Sequence, residues 1–268
     1  MPTFEHDHIR FHYRDIGHGT PVIFQHGLGG SVEQVCGLFT PPAGFRMLVM
    51  DCRGHGKTEP LGPHERISLA SFADDLRAFL DFLEVPQAVV GGISMGAAVT
   101  LNFVLRFPAR VTGLIQSRPA WLAAPNPRNV AWFGEIARLI REHGPRNGRA
   151  LFRQSATYRE VLAESPDVAQ SMLNQFDNPR ADATVVTLDR IRENAPCSSL
   201  EQLANIHVPT LVMANRQDPV HPFVYGQMLA AAIPGAEFAE LTPKSQSVEL
   251  HRADVQRHLG GFLERNFR

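Results

Sequence analysis

The sequence predicts an α/β fold in which a mostly parallel central sheet is covered by helices on both faces. Short apolar runs alternate along the chain with segments whose apolar residues recur at helical spacing. Parallel strands are buried on both faces, so they form continuous apolar runs, and they need helical crossovers between them. With 268 residues, 44% of them apolar, the chain is long enough to bury a sizeable core.

Six apolar runs are predicted as strands and three of the segments between them as helices. The opening stretch, residues 3–17, alternates like a strand hairpin that leads into the sheet. The predicted strands span residues 21–27, 45–54, 87–94, 111–117, 209–215 and 236–242. The predicted helices span residues 68–84, 95–107 and 222–233.

The interval 118–205 breaks this alternation. It contains helical stretches but no convincing strand, and it is too long for one connection in a compact domain. In a sheet of this type, an insertion after the carboxyl end of a strand lies over the ligand crevice. We therefore expect a helical cap at residues 118–205 and a core formed by residues 1–117 and 206–268.

Composition narrows the classes of partner. The formal net charge is -1 without a basic block, which argues against nucleic acid because phosphate binding needs clustered cations. No signal peptide and no apolar run near the roughly 18 residues of a membrane span is seen. Three cysteines without CxxC spacing suit a reducing compartment, so a cytoplasmic location is expected. The expected partner is a small-molecule substrate, and the oligomeric state stays open.

A glycine-flanked serine provides the candidate nucleophile. Gly92 to Gly96, "GISMG", follows an apolar strand and opens a helix rich in small residues, as a nucleophile turn requires. Ser94 is the predicted nucleophile, and the Met95 N–H is predicted to bind the developing oxyanion. The loop "QHGLGG", directly after another strand, can aim the Leu28 N–H at the same oxygen.

These motifs together resemble the serine-type α/β-hydrolase family, of the esterase or lactonase kind with a helical cap. "QHGLGG", "MDCRGHGKT", "GISMG" and "RQDPVHP" occur in the family's order over about residues 20–262. The resemblance implies that Asp218, after the penultimate strand, orients a catalytic histidine. The alternative is that Asp218 caps the helix that starts near Pro222, and one side chain can do both.

The family's base lies in the loop after the last strand, where this chain has no histidine. Counting along the strand and back from the closing helix puts Ser245 or Gln246 at the expected position. A glutamine side chain cannot accept a proton at physiological pH. A wrong register, a substitution made to trap an acyl-enzyme, and a binding protein on a hydrolase scaffold all remain as explanations.

Three other side chains compete for the role of the base. His251 lies on the inward stripe of the final helix near its amino-terminal end, and it is the predicted catalytic base. The alternative is that His251 is a satisfied, partly buried residue. His221 is predicted to bind substrate or to act as a displaced base, and Lys244 could serve if burial lowered its pKa.

The resemblance implies hydrolysis of an ester, lactone or related acyl bond in a small, mostly apolar substrate. The interior of the cap around Trp121, Trp132 and Phe133 is expected to contact that substrate. No metal and no organic cofactor is expected, because no His, Cys or acidic cluster has ligand spacing. The alternative function is non-hydrolytic ligand binding, because Gln246 occupies the expected histidine position.

Overall fold

A computed structural model of the chain describes residues 2–268. One sheet of eight strands runs through it, in the order β1-β2-β4-β3-β5-β6-β7-β8. The strands are β1 (Thr3–His6), β2 (Ile9–Gly17), β3 (Thr20–Gln25), β4 (Phe45–Met50), β5 (Ala88–Ile93), β6 (Val111–Ser117), β7 (Thr210–Ala214) and β8 (Glu237–Glu240). The first two strands form an antiparallel hairpin, β2 pairs antiparallel with β4, and every later pairing is parallel. The predicted mostly parallel α/β sheet is therefore confirmed.

Helices cover both faces of this sheet. The helices are α1 (Val32–Cys36), α2 (Leu69–Phe82), α3 (Met95–Arg106), α4 (Trp132–Phe152), α5 (Ala156–Glu164), α6 (Pro166–Phe176), α7 (Ala181–Thr184), α8 (Val186–Arg192), α9 (Phe223–Ala232) and α10 (Val248–Phe267). Successive residues of β5 serve opposite faces, since Val90 packs with the α2 and α3 side while Val89 packs with the α10 side. Burial on both faces explains why the central strands read as unbroken apolar runs.

The strand predicted for residues 45–54 ends at Met50. From there the chain turns, and the Asp51 carboxylate accepts hydrogen bonds from the N–H groups of Val32 and Lys57. A buried carboxylate that is satisfied by loop N–H groups fixes the turn after the strand. The polar motif that followed the apolar run therefore belongs to a loop at the carboxyl edge of the sheet.

The connection from β6 to β7 is helical, and no strand occurs in residues 118–209, all of which the structure describes. Helices α4 to α8 and two short 3-10 turns fill it, and α4 packs against α6 and α8. Helix α4 breaks at Gly144, which has φ +71° and precedes Pro145, so the ladder of helical hydrogen bonds is interrupted there. Across residues 2–268, no helix is long and apolar enough to cross a membrane.

Candidate active site

Ser94 stands on a sharp turn between β5 and α3. Its backbone has φ +58° and ψ -115°, a conformation that side chains rarely adopt and that costs on the order of 1–3 kcal/mol. Its N–H donates to the Ser117 carbonyl on the neighbouring strand β6, at 3.1 Å. The surrounding fold thus imposes a backbone conformation that presents the side chain above the carboxyl edge of the sheet.

The two motif glycines are required because backbone approaches backbone at this turn. A Cβ added at Gly92 would lie 2.3 Å from the carbonyl carbon of Gly96. A Cβ added at Gly96 would lie 2.2 Å from the carbonyl oxygen of Gln25, at the end of β3. These contacts bring the turn at Ser94 against the loop that follows β3.

That loop carries Leu28, which is buried and lines the same pocket as Ser94. It is held by His26, whose Nδ1 donates to the Gly27 carbonyl and whose Nε2 accepts from the Cys52 N–H. With both ring nitrogens engaged and the ring fully buried, His26 organises the loop. Met95 is buried at the first position of α3, where helical N–H groups lack partners within the helix.

Asp218 follows β7 and lies in a network of buried polar groups. Its Oδ2 accepts from Nε and Nη2 of Arg118 at 2.9 and 2.5 Å. Its Oδ1 accepts from the backbone N–H groups of Val220 and His221, and it lies 2.9 Å from Nδ1 of His221. Because an ionised carboxylate only accepts, Nδ1 of His221 carries the proton of a neutral ring.

The opposite nitrogen of that ring has no partner. Nε2 of His221 is buried without a hydrogen-bond partner among the described residues, and His221 lines the pocket that contains Ser94. An imidazole held at Nδ1 by a carboxylate with a free lone pair at Nε2 has the arrangement that general-base catalysis uses. In this chain the acid and the imidazole come from one loop, three residues apart.

Neighbouring charges and burial shift the pKa values of Asp218 and His221. Burial raises the pKa of the Asp218 carboxyl, but Arg118 and His221 outweigh burial and hold that pKa well below its ordinary value. Burial lowers the pKa of His221, the Asp218 carboxylate opposes this, and the Arg118 guanidinium adds to the lowering. Both pKa values are lowered, so the imidazole is neutral and Asp218 is ionised near pH 7.

The pocket above Ser94 has a volume of about 330 Å³, within the usual range for small-molecule sites. Its lining is mixed, and its apolar residues come from α4, α6, the end of β5 and the loops after β3 and β7. These are Leu28, Ile93, Trp132, Phe133, Val168 and Val220. Its polar groups include Arg118, His221 and Lys244 from the carboxyl edge of the sheet, and Asp167 from α6. A larger groove of about 840 Å³ beside α3 contains none of the predicted site residues.

The loop after β8 brings Lys244 to the pocket and turns Gln246 away from it. Lys244 lines the Ser94 pocket, and the Arg118 guanidinium together with burial lowers its pKa to about 8. Gln246 is exposed on a turn closed by its own N–H, which donates to the Pro243 carbonyl, and it does not line the pocket. The amide at the predicted histidine position therefore faces solvent.

His251 and Trp121 lie elsewhere than in the Ser94 pocket. His251 is buried in the first turn of α10, its Nδ1 donates to the Thr242 carbonyl at 2.8 Å, and burial followed by Arg118 lowers its pKa to about 4. It lines a neighbouring cavity of about 180 Å³ whose wall includes Lys244. Trp121 is buried in the core and does not line the pocket, whereas Trp132 and Phe133 do.

Arg118 is the residue of this buried network that sequence analysis did not identify. It stands directly after β6 with φ +48°, and its N–H donates to the Met213 carbonyl on β7. The signal in the sequence was a single arginine at the end of an apolar strand, in a chain with many arginines. Its partner Asp218 is 100 residues away, so only the adjacency of β6 and β7 reveals the pair.

The fold and this arrangement at the carboxyl edge of the sheet define an α/β-hydrolase. Residues 20–244 match the family described as the alpha/beta hydrolase fold, and the chain belongs to that family. Similar proteins include AB hydrolase superfamily protein YisY of Bacillus subtilis, 28% identical over 90% of this chain and 89% of the relative. Another is 3-oxoadipate enol-lactonase 2 of Acinetobacter baylyi, 29% identical over 70% of this chain and 67% of the relative.

Among solved structures, the enol-lactonase from Burkholderia xenovorans LB400 superimposes with a TM-score of 0.74. The two sequences are 23% identical, and the superposition covers 98% of this chain and 100% of the enol-lactonase. Est816, described as an N-acyl homoserine lactone degrading enzyme, superimposes with a TM-score of 0.72 at 24% identity, with both chains fully covered. These likenesses establish the fold.

Proposed function

We propose that this protein hydrolyses an ester, lactone or related acyl bond, with Ser94 as the nucleophile and His221 as the general base. The observation that carries the proposal is the Asp218–His221 pair, joined at 2.9 Å through Nδ1, which leaves Nε2 free in the pocket of Ser94. The names of relatives such as 3-oxoadipate enol-lactonase 2 support the same reaction class.

The proposed reaction has two halves, acylation of Ser94 and hydrolysis of the acyl-enzyme, and each half has two proton transfers. Nε2 of His221 takes the hydroxyl proton of Ser94 as Oγ attacks the substrate carbonyl carbon. The N–H groups of Leu28 and Met95 stabilise the resulting oxyanion, and the imidazolium then protonates the leaving oxygen. Water, deprotonated by His221, attacks the acyl-enzyme, and Ser94 recovers its proton as the acid leaves. Asp218 stabilises the imidazolium through Nδ1 in both halves.

His221 is preferred to His251 as the base because of the group that holds each ring. The Nδ1 of His251 donates to a backbone carbonyl, which stabilises an imidazolium less than a carboxylate does, and its ring lines the neighbouring cavity. The exposed amide of Gln246 has no part in the proposed chemistry. His221 thus combines both roles that the sequence suggested for it, at the substrate and as a displaced base.

Residues 118–205 form the cap in this proposal. Trp132 and Phe133 of α4 and Val168 of α6 line the pocket, so the insertion supplies much of its apolar wall. An apolar wall binds the hydrocarbon part of a substrate and limits bulk water around the reacting groups, which strengthens the electrostatic interactions there. The expectation of a substrate with an apolar body therefore rests on these side chains.

The test is turnover of p-nitrophenyl butyrate by wild type, Ser94→Ala, His221→Gln and His251→Gln. General-base catalysis contributes roughly 10²- to 10⁴-fold, so His221→Gln should lose at least about 10²-fold in kcat and Ser94→Ala at least as much. His251→Gln is the matched control and should stay within about threefold. Full activity in Ser94→Ala, or losses confined to His251→Gln, would contradict the assignment. Absence of turnover with retained ligand binding in wild type would favour a non-hydrolytic binding protein.

A further inference from the structure

Two cationic side chains, from the loops after β6 and β8, line one side of the Ser94 pocket. Arg118 follows β6 and Lys244 follows β8, and the strand order β5-β6-β7-β8 gathers both at the carboxyl edge beside the nucleophile turn. Arg118 directs Nε and Nη2 to Asp218, and its Nη1 has no protein acceptor within residues 2–268.

Lys244 lies in a cationic environment without a counterion in contact. It is half-buried, and no carboxylate in the described chain lies within 4.0 Å of its ammonium group. The nearby guanidinium of Arg118 is the main reason why its pKa falls to about 8, with burial second and Arg252 contributing. A group with this pKa is still mostly protonated at pH 7, so two cations share the pocket.

The two carboxylates near Lys244 are engaged elsewhere. Asp218 is occupied by Arg118, His221 and two backbone N–H groups. Asp167, on α6, accepts from the Ser165 hydroxyl at 2.7 Å, and it raises the pKa of Lys244 only from a distance. An anion bound between Lys244 and Nη1 of Arg118 would contact two cationic groups that have no hydrogen-bond acceptor among the described residues.

We infer that the natural substrate carries a carboxylate in addition to its hydrolysable acyl bond, and that Lys244 and Arg118 bind that carboxylate. The inference rests on the proposed function at Ser94, and it names the substrate class for that site. A carboxylate suits both partners, since the ammonium donates to one oxygen and the free guanidinium edge to the other. Trp132 and Phe133 of α4 and Val168 of α6 provide apolar contacts for the chain that joins the two ends.

The kinetic test compares p-nitrophenyl hydrogen adipate with p-nitrophenyl hexanoate. These esters share acyl length and leaving group and differ in the terminal carboxylate. We expect wild type to have at least about tenfold higher kcat/KM for the adipate ester. Lys244→Met should reduce kcat/KM for that ester by roughly 10- to 100-fold, mainly through KM, because it loses a charge-assisted hydrogen bond. The hexanoate ester should change less than about threefold, and Lys244→Arg should retain part of the preference.

Lys57→Met is the matched control, because it removes the chain's other lysine, which is exposed and does not line the pocket. It should leave both esters unchanged. Equal losses on both esters in Lys244→Met would overturn the inference and would identify Lys244 as part of the proton-transfer machinery. A wild type without preference for the adipate ester would overturn it as well.

Binding to Ser94→Ala separates this inference from the proposed function. Calorimetry should detect hexanoate, which carries the carboxylate, binding at least about tenfold tighter than its neutral amide, hexanamide, and Lys244→Met in the same background should abolish the difference. Equal affinities would overturn the carboxylate site. If Ser94→Ala still hydrolysed either ester, the proposed nucleophile would be wrong, while the binding preference would be measured independently.

Discussion

Replacing Arg118 by methionine tests the network that holds the proposed acid and base. Both side chains of the Arg118–Asp218 pair are nearly inaccessible, 6% and 1% exposed, so removing the guanidinium leaves a buried carboxylate without its cation. Breaking a buried pair in this way costs about 3–5 kcal/mol of unfolding free energy. For a domain of this size, that loss corresponds to a fall in Tm of roughly 6–20 °C.

The same substitution should change the pH dependence of catalysis in a known direction. Arg118 disfavours the imidazolium of His221 and lowers its pKa. Without the guanidinium that pKa rises, so a higher pH is needed to keep the base neutral. The acid limb of kcat/KM for p-nitrophenyl butyrate should therefore move to higher pH in Arg118→Met.

The assays are thermal unfolding at pH 7 and a pH profile of kcat/KM from pH 5 to 9. Arg265→Met is the matched control, because the Arg265–Glu237 pair is solvent-exposed, at 58% and 45%, and should contribute less than about 1 kcal/mol. The reasoning would be refuted if Arg118→Met unfolded as wild type does, or if its acid limb stayed in place or moved to lower pH.

Three further predictions concern the pH dependence of stability, the turn at Ser94 and the loop after β8. Buried His55 has its pKa lowered from 6.5 to about 3, so the unfolded chain binds a proton that the folded chain does not, and stability falls as pH drops below about 6.5. Between neutral pH and pH 5, this group should lower the free energy of unfolding in urea by about 2 kcal/mol, so His55→Gln should lose less stability than wild type over that range. Equal losses in the two proteins would contradict this prediction. Gly96→Ala should lose at least about 1–3 kcal/mol and most esterase activity, since its Cβ meets the Gln25 carbonyl. Gly260→Ala in α10, whose added Cβ would approach only Gln256 Nε2 at 3.9 Å, should lose no stability in urea unfolding. Gln246→His should change esterase kcat/KM by less than about twofold because residue 246 faces solvent, and a large gain would show that the residue reaches the nucleophile.

The fold was predictable from the sequence because the pattern is repeated and local. The central strands have the unbroken apolar runs that burial on both faces demands, and the connections that contain α2, α3 and α9 have helical periodicity. The five-residue helix α1, between β3 and β4, was too short to be predicted in this way. The boundaries were less accurate where polar capping ends an element. The run from residue 45 was extended to 54, although Asp51 leaves the strand to bind loop N–H groups.

The sharp turn at Ser94 was also predictable, because Gly92, Ser94 and Gly96 are close together in the chain and their steric demands are local. The side chains that share the pocket with Ser94 were harder to predict, because they depend on side-chain directions in two loops. Counting residues suggested Gln246, but the turn after Pro243 directs that side chain outwards and brings Lys244 to the pocket. Helical periodicity put His251 on an inward stripe, as observed, without revealing which cavity it lines.

The most direct test of the central claim, that the Asp218-held imidazole of His221 activates Ser94, is the rate of phosphonylation by a fluorophosphonate. Peptide mapping should locate the label on Ser94, with a rate that rises with pH as His221 loses its proton. His221→Gln should slow the labelling by at least about 10²-fold, and His251→Gln should leave it within about threefold. Labelling at wild-type rate in His221→Gln, or labelling of a residue other than Ser94, would contradict the account.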